Sequence, residues 1–158
     1  MFSTPQDEHK WLARLAGNWA WESTCVMGPD APPQVTKGTD SGRVLGEMWV
    51  LFEMTGEMDG GKWQSMFTLG YDTTKKAFVG TFVGSMMSEL WVYEGAVDGG
   101  GKVLTLNCEG PRFDGKGRTK YQDIIEWVTD DHFVFRSRML GEDGKWTEFM
   151  KGDHRRLK

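Results

Sequence analysis

Three histidines, two cysteines and 23 acids are the groups in this 158-residue chain whose chemistry could go beyond packing. A catalytic nucleophile needs a base beside it. His9, His132 and His154 offer no Ser-His or Cys-His pair, and no Gly-x-Ser-x-Gly elbow is present. Neither Cys25 nor Cys108 has a basic neighbour in sequence to lower its thiol pKa, so both read as inert. Cys-x2-Cys and His-x3-His spacings, which a zinc site uses, are absent. Gly99, Gly100 and Gly101 lie between two strand patterns, whereas a phosphate loop must open a helix. The Asp-Gly turns lack the alternating ligands and terminal Glu of a calcium loop. No catalytic motif, metal site or cofactor motif emerges, and the chain reads as a binding protein before an enzyme.

Binding residues are then sought among polar groups that share a strand face with aromatics. Trp19 and Trp21 alternate with Ala20 and Glu22, which turns the tryptophans inward. Trp49, Leu51 and Glu53 share one face of their segment, opposite Met48, Val50, Phe52 and Met54. If the first face is interior, Glu53 is a cavity carboxylate. Arg136 shares a face with His132, Val134 and Arg138. It can pair with Glu53 or Glu126, or grip a ligand carboxylate with two prongs. The plainer reading puts Arg136 and Arg138 on a wet outer face, since arginine is almost never fully buried unless paired. Trp91 with Tyr93, and Tyr121 with Asp123, are further pairs, and a tyrosine hydroxyl orients a ligand well. The candidate ligand set is therefore Trp21, Trp49, Glu53, Trp91, Tyr93, Tyr121 and Arg136. Were the chain an enzyme, Glu53 or Asp123 would be its acid–base group, with a pKa raised in a dry cavity. His154 shares a face with Trp146, Glu148, Met150 and Gly152. Inside a barrel such a histidine could ligate haem iron. The plainer reading is a partly exposed side chain in the basic tail with Arg155, Arg156 and Lys158, since no partner that would orient the ring is visible.

The elements that must position these residues follow from periodicity. Thr4 and Pro5 suit a helix start, Asp7 and Glu8 suit its first turn, and Trp11, Leu12 and Leu15 form an apolar stripe. This predicts one short helix over 5–16. After Gly17 the period changes to 2, with ten strand segments near 18–27, 34–44, 47–57, 63–71, 76–84, 88–97, 102–109, 119–129, 132–140 and 146–156. Asp59-Gly60, Asp98-Gly99 and Asp143-Gly144 are hairpin signals. Regular spacing and short connections indicate an all-β antiparallel meander. Closure into an up-and-down barrel removes its open edges. The length fits one domain, helix then barrel over 18–156.

Composition agrees and excludes other classes. Eight Trp and nine Phe favour pleated, half-buried surfaces. A net charge of −4 and no basic patch argue against nucleic acid. No signal peptide and no membrane-spanning run is found, which implies a cytoplasmic protein with reduced thiols. Segments three to six are apolar on both faces, and the excess over one dry face suggests a homodimer.

Gly17-Asn18-Trp19, placed after the helix, resembles the Gly-x-Trp that opens the first lipocalin strand. Longer stretches resemble the DUF1579 family of bacterial proteins of unknown function. These are residues 46–57, Thr68-Leu69-Gly70-Tyr71-Asp72, residues 78–86, Tyr93-Glu94-Gly95, Leu104-Thr105-Leu106 with Glu109-Gly110-Pro111, and Tyr121-Gln122-Asp123 running to Glu126. The resemblance implies a lipocalin-like, calycin-type barrel and little chemistry; it is the closed barrel itself that can enclose one small apolar or amphipathic ligand. The nitrobindin-like barrels, a related architecture, hold haem through an interior histidine of this kind.

Overall fold

A computed structural model describes residues 2–28 and 30–158. Helix α1 (Asp7–Ala13) is followed by ten strands. They are β1 (Gly17–Cys25), β2 (Gln34–Leu45), β3 (Trp49–Met58), β4 (Gly61–Asp72), β5 (Ala77–Gly84), β6 (Trp91–Val97), β7 (Val103–Pro111), β8 (Arg118–Thr129), β9 (His132–Leu140) and β10 (Trp146–Arg156). Each strand pairs antiparallel with the next, and β1 also pairs with β10, so the sheet closes into a barrel. All ten expected segments are strands.

Turn chemistry sets the register locally. In the β3–β4 hairpin, Met58 faces Gly61 across a two-residue loop. Asp59 and Gly60 there have φ of 51° and 77°. Two positive φ angles define the type I′ turn that matches strand twist, which is why Asp-Gly is found there.

The helix is shorter than 5–16. It begins after Gln6 because the His9 Nδ1 accepts a hydrogen bond from the Gln6 amide at 2.9 Å and caps the first turn. The other ring nitrogen, Nε2, lies 3.1 Å from the Tyr71 carbonyl oxygen. Buried His9 thus ties α1 to the end of β4. Trp11 donates to the Gly101 carbonyl at 2.7 Å, and Arg14 reaches Asp130 at 3.0 Å. All three anchors lie in or beside the turns at one end of the barrel. There α1 acts as a lid, with Leu12, Leu15 and Trp19 almost wholly buried beneath it.

Side chains alternate inward and outward along the strands, as a barrel requires, except where register shifts interrupt β8 and β10. Phe52, Phe67, Leu69, Phe78, Leu104, Leu106, Phe133 and Phe135 belong to one continuous core. The outer face of β3 to β6 carries exposed Trp49, Val83 and Val92, so the apolar excess seen in the sequence sits on the outside.

Candidate functional site

Polar groups inside a barrel are costly unless paired, so their positions point to chemistry. Two such networks occupy the interior.

The first joins β2 to β10. His154 Nδ1 lies 2.6 Å from Asp40 Oδ2, and both residues are buried. The imidazole stacks on Phe133, with ring centroids 4.5 Å apart and planes 10° apart, and faces Trp21 at 6.2 Å. Burial raises the Asp40 pKa, and the hydrogen bond and charge of His154 oppose that rise. The exposed-tail reading of His154 is therefore overturned. A register shift between Glu148 and Met150 inserts one residue into β10. Trp146 and Glu148 consequently lie outside, while Met150, Gly152 and His154 point in. Around this pair, Asp40 Oδ1, Trp21 Nε1, Trp63 Nε1 and Ser65 Oγ are buried without a hydrogen-bond partner among the described residues. Trp21 and Trp63 face each other at 5.6 Å. They close over Gly38 and Gly56, where a Cβ would come within 2.7 Å of an indole carbon.

The second network joins β6, β8 and β9. Asp123 Oδ2 accepts a hydrogen bond from the Tyr93 hydroxyl, and Oδ1 accepts one from Ser137 at 2.6 Å. Burial raises the Asp123 pKa, while the two hydroxyl donors pull it down. Among the described residues no cation takes part in this network. Burial, with the charge and hydrogen bond of Asp123, pushes the Tyr93 phenol well above its ordinary range. Cys108 is pushed up to about 12 by burial and then by Asp123. Cys25 is also raised by burial. Both thiols are free and stay protonated near neutrality.

The pKa direction of Asp123 carries a stability prediction. Its folded pKa is raised above the ordinary 3.8, so the folded state holds the proton more tightly than the unfolded chain. Its contribution is fully present below pH 3.8 and is lost as pH rises through the folded pKa. Asp123→Asn removes this dependence. Its stability relative to the parent therefore improves as pH rises from 4 to 7, measured by urea unfolding at each pH. A constant difference across that range would refute the assignment.

The sequence candidates separate cleanly. Trp21, Tyr93 and Tyr121 are inside and buried. Tyr121 is pinned by a 2.5 Å hydrogen bond from its hydroxyl to the Pro111 carbonyl. Trp91 points in at the end opposite α1, where it packs edge-on against Tyr121 at 5.0 Å. Trp49 is outside, its ring lying on Gly70 of the neighbouring strand. Glu53 is outside as well, on an open surface groove of about 500 Å³ with Thr39, Ser41 and Thr55. Arg136 is on the outer face, paired with Glu126 at 2.5 Å and Glu148 at 3.3 Å. Phe52 and Met54 hold the interior side of β3 because they share a face with buried Phe67 and Ser65 across the β3–β4 ladder. Asp40, Ser65 and Ser137 were missed. Only Ser137 carried a signal, its alternation with Phe133 and Phe135.

The two ends of the barrel differ. Near α1, Leu12, Leu15, Trp19, Phe78, Leu104 and Trp127 are buried, with Tyr71 and Val97 part-buried at the rim. Toward the other end, inward Met54, Phe82, Trp91, Asp123, Met139 and Met150 are only part-buried. Among the described residues no helix covers that end. Trp91, Phe113, Tyr121 and Phe149 meet there edge to edge, and exposed Met27, Met58, Met86, Met87 and Leu90 stand in the surrounding turns and strand ends.

One internal cavity of about 10 Å³ lies between Leu15, Phe52, Met54, Phe67, Phe133 and His154. That is about the space of one water, and its apolar lining offers a water no partners. A haem is far larger, so the residues around His154 do not fit one, although Asp40 would orient the ring as ligand histidines require. Among the described residues no cluster of three or more His, Cys, Asp or Glu could hold a metal, and no helix is long and apolar enough to cross a membrane.

Comparison with known proteins adds fold and family. A family model described as "Protein of unknown function (DUF1579)" matches residues 4–156. No curated protein sequence matches the chain. Among solved structures, Rv2717c from M. tuberculosis is similar at 14% identity and TM-score 0.63, covering 98% of this chain and all of that one. The S-type phycobiliprotein lyase CpeS from Guillardia theta is similar at 13% identity and TM-score 0.64, covering 98% and 99%. EF1p2_mFAP2b bound to DFHBI matches at 13% identity and TM-score 0.50, covering 95% and 99%. At these identities the likeness is one of fold.

Proposed function

The chain belongs to the DUF1579 family, which prescribes no chemistry, and we propose from the geometry that the barrel is a small-molecule binding module entered at the end opposite α1. The observation that carries this reading is the uneven sealing of the interior. Most inward side chains under the helix are buried, whereas at the far end Met54, Phe82, Trp91, Asp123, Met139 and Met150 are part-exposed beside buried Tyr93 and Ser137. A ligand pocket is mostly apolar with a few placed polar groups, which describes that half of the barrel.

The resting interior is nearly full, so a ligand must displace side chains. Met54, Met139 and Met150 line that half, and unbranched methionine repacks at low cost. The exposed methionines around the mouth suit an apolar or amphipathic guest. A barrel of similar fold has been solved with a small molecule bound, which supports the reading at the level of architecture.

The competing reading is a barrel filled for structure alone, favoured by the 10 Å³ cavity. Titration with 8-anilinonaphthalene-1-sulfonate separates the two, backed by native mass spectrometry of the purified protein. Binding predicts saturable dye fluorescence at one site, weakened by Trp91→Ala, or a bound mass that denaturation releases. Absence of both signals removes the proposal.

A further inference from the structure

Asp123 is an interior carboxylate held by two hydroxyl donors and by no cation. An ionised carboxylate in such a place lacks the opposite charge that normally offsets desolvation. The other interior acid, Asp40, already has His154. The positive side chains nearest in the β8–β9 ladder, Arg136 and Arg138, point outward and are engaged by Glu126, Glu148 and Gln122. None can turn to Asp123 without crossing the sheet.

Leu106 and Ser137 flank this carboxylate in the ladder, and the one ring that touches it, Tyr93, continues into an aromatic stack. Tyr93, its donor, stacks on Phe67 with planes 13° apart and centroids at 6.1 Å. Phe67 in turn packs on Phe82 at 4.7 Å and on Phe135 at 5.8 Å. Phe135 adjoins Ser137 on the inward face of β9. Aromatic faces attract cations, more strongly when water is excluded. A carboxylate beside a stack of rings is therefore a receptor for a positive charge on an apolar body.

We propose that the interior site takes a cationic amphiphile, an amine or quaternary ammonium group carrying an apolar chain, with its charge at Asp123 and its chain among the methionines and aromatics of the open end. This rests on the binding reading above and adds the charge class of the ligand. Two features point to it together: a carboxylate without a counter-ion among the described residues, and a Tyr93 ring beside it that extends into an aromatic stack.

Three probes of equal chain length test it by isothermal titration calorimetry, all kept below micelle formation: octyltrimethylammonium, 1-octanol and octanoate. The expected result is at least tenfold tighter binding of the ammonium than of either other probe. Asp123→Asn should abolish that preference while keeping octanol binding. Glu126→Gln removes an outer-face carboxylate of the same strand and should retain the preference, while kept octanol binding in Asp123→Asn guards against a variant that merely folds poorly. Equal binding of all three probes, or an unchanged preference in Asp123→Asn, overturns the cation assignment and leaves a binding barrel. Binding of none overturns the binding reading with it.

Discussion

His154→Ala should lower the stability of the barrel by about 3–5 kcal/mol, the range for leaving a buried acid without its hydrogen-bonded partner. For a chain of this size that corresponds to a fall in Tm of about 10 °C. The reason lies in what remains. Asp40 stays in the interior with Oδ1 already unpartnered and now loses the partner of Oδ2 as well. The variant also loses the stacked contact with Phe133. The size of the effect depends on pH, and its sign can be worked out. Burial raises the Asp40 pKa, and His154 holds that rise in check. Without His154 the folded-state pKa climbs further above 3.8. A group with a raised folded pKa contributes its stability below the unfolded value and loses it as pH rises through the folded one. The deficit of His154→Ala is thus largest at neutral pH and shrinks toward pH 4. Thermal and urea unfolding between pH 4 and 8 measure it, and a deficit under 1 kcal/mol at pH 7 would rule out a structural pair.

The double variant Asp40→Leu, His154→Phe isolates the pair from its surroundings. Replacing a buried ion pair by apolar groups is often neutral or stabilising. Recovery of most of the lost stability is therefore expected. If it is seen, the pair is not required for folding, and its presence in an otherwise apolar region becomes an argument for function.

The sequence read by periodicity delivers the strands but not their faces. Ten segments and the Asp59-Gly60 turn were legible because alternation and turn chemistry are local signals. Strand β3 is apolar on both faces, so nothing within it says whether Phe52 or Glu53 looks inward. The answer comes from β4, where Phe67 stands opposite Phe52 and Gly70 receives the ring of Trp49. Strand β2 poses the reverse problem. Thr36, Gly38, Asp40 and Gly42 share its inner face, and none announces burial. Asp40 becomes visible only when β10 closes the barrel and brings His154 from 114 residues away. The bulge in β10 is a one-residue event, and a one-residue slip moves every later side chain to the other face. Tyr93 and Asp123 were each flagged separately. Their union across β7 required the closed geometry.

Trp19→Ala is expected to destabilise the fold by about 3–5 kcal/mol, the usual cost of emptying a buried tryptophan site. Trp49→Ala, at the outer face, should cost under 1 kcal/mol, since its site faces solvent and leaves no enclosed void. The two residues look alike in a propensity table and open their strands in similar company. Trp19 differs by what closes over it. It has no exposed surface, and its indole N–H donates to the Leu15 carbonyl at 3.1 Å. It packs on Phe133 at 4.9 Å and on Trp127 at 6.0 Å, and the Arg156 guanidinium caps its ring at 4.2 Å. Arg156 in turn donates to the Ala16 and Arg14 carbonyls, which fixes the link between α1 and β1. Trp19 thus joins the helix, the first strand and the last strand at the sealed end. Trp19→Phe should recover part of the loss, since a ring remains for Phe133. Under native conditions, Trp19→Ala should leave amphiphile affinity within about twofold, because sites without shared partners behave independently. Equal loss of stability and affinity would mean that the sealed and open halves act as one unit. Separable effects would assign the motif around Trp19 to holding the barrel shut and the opposite end to holding a ligand.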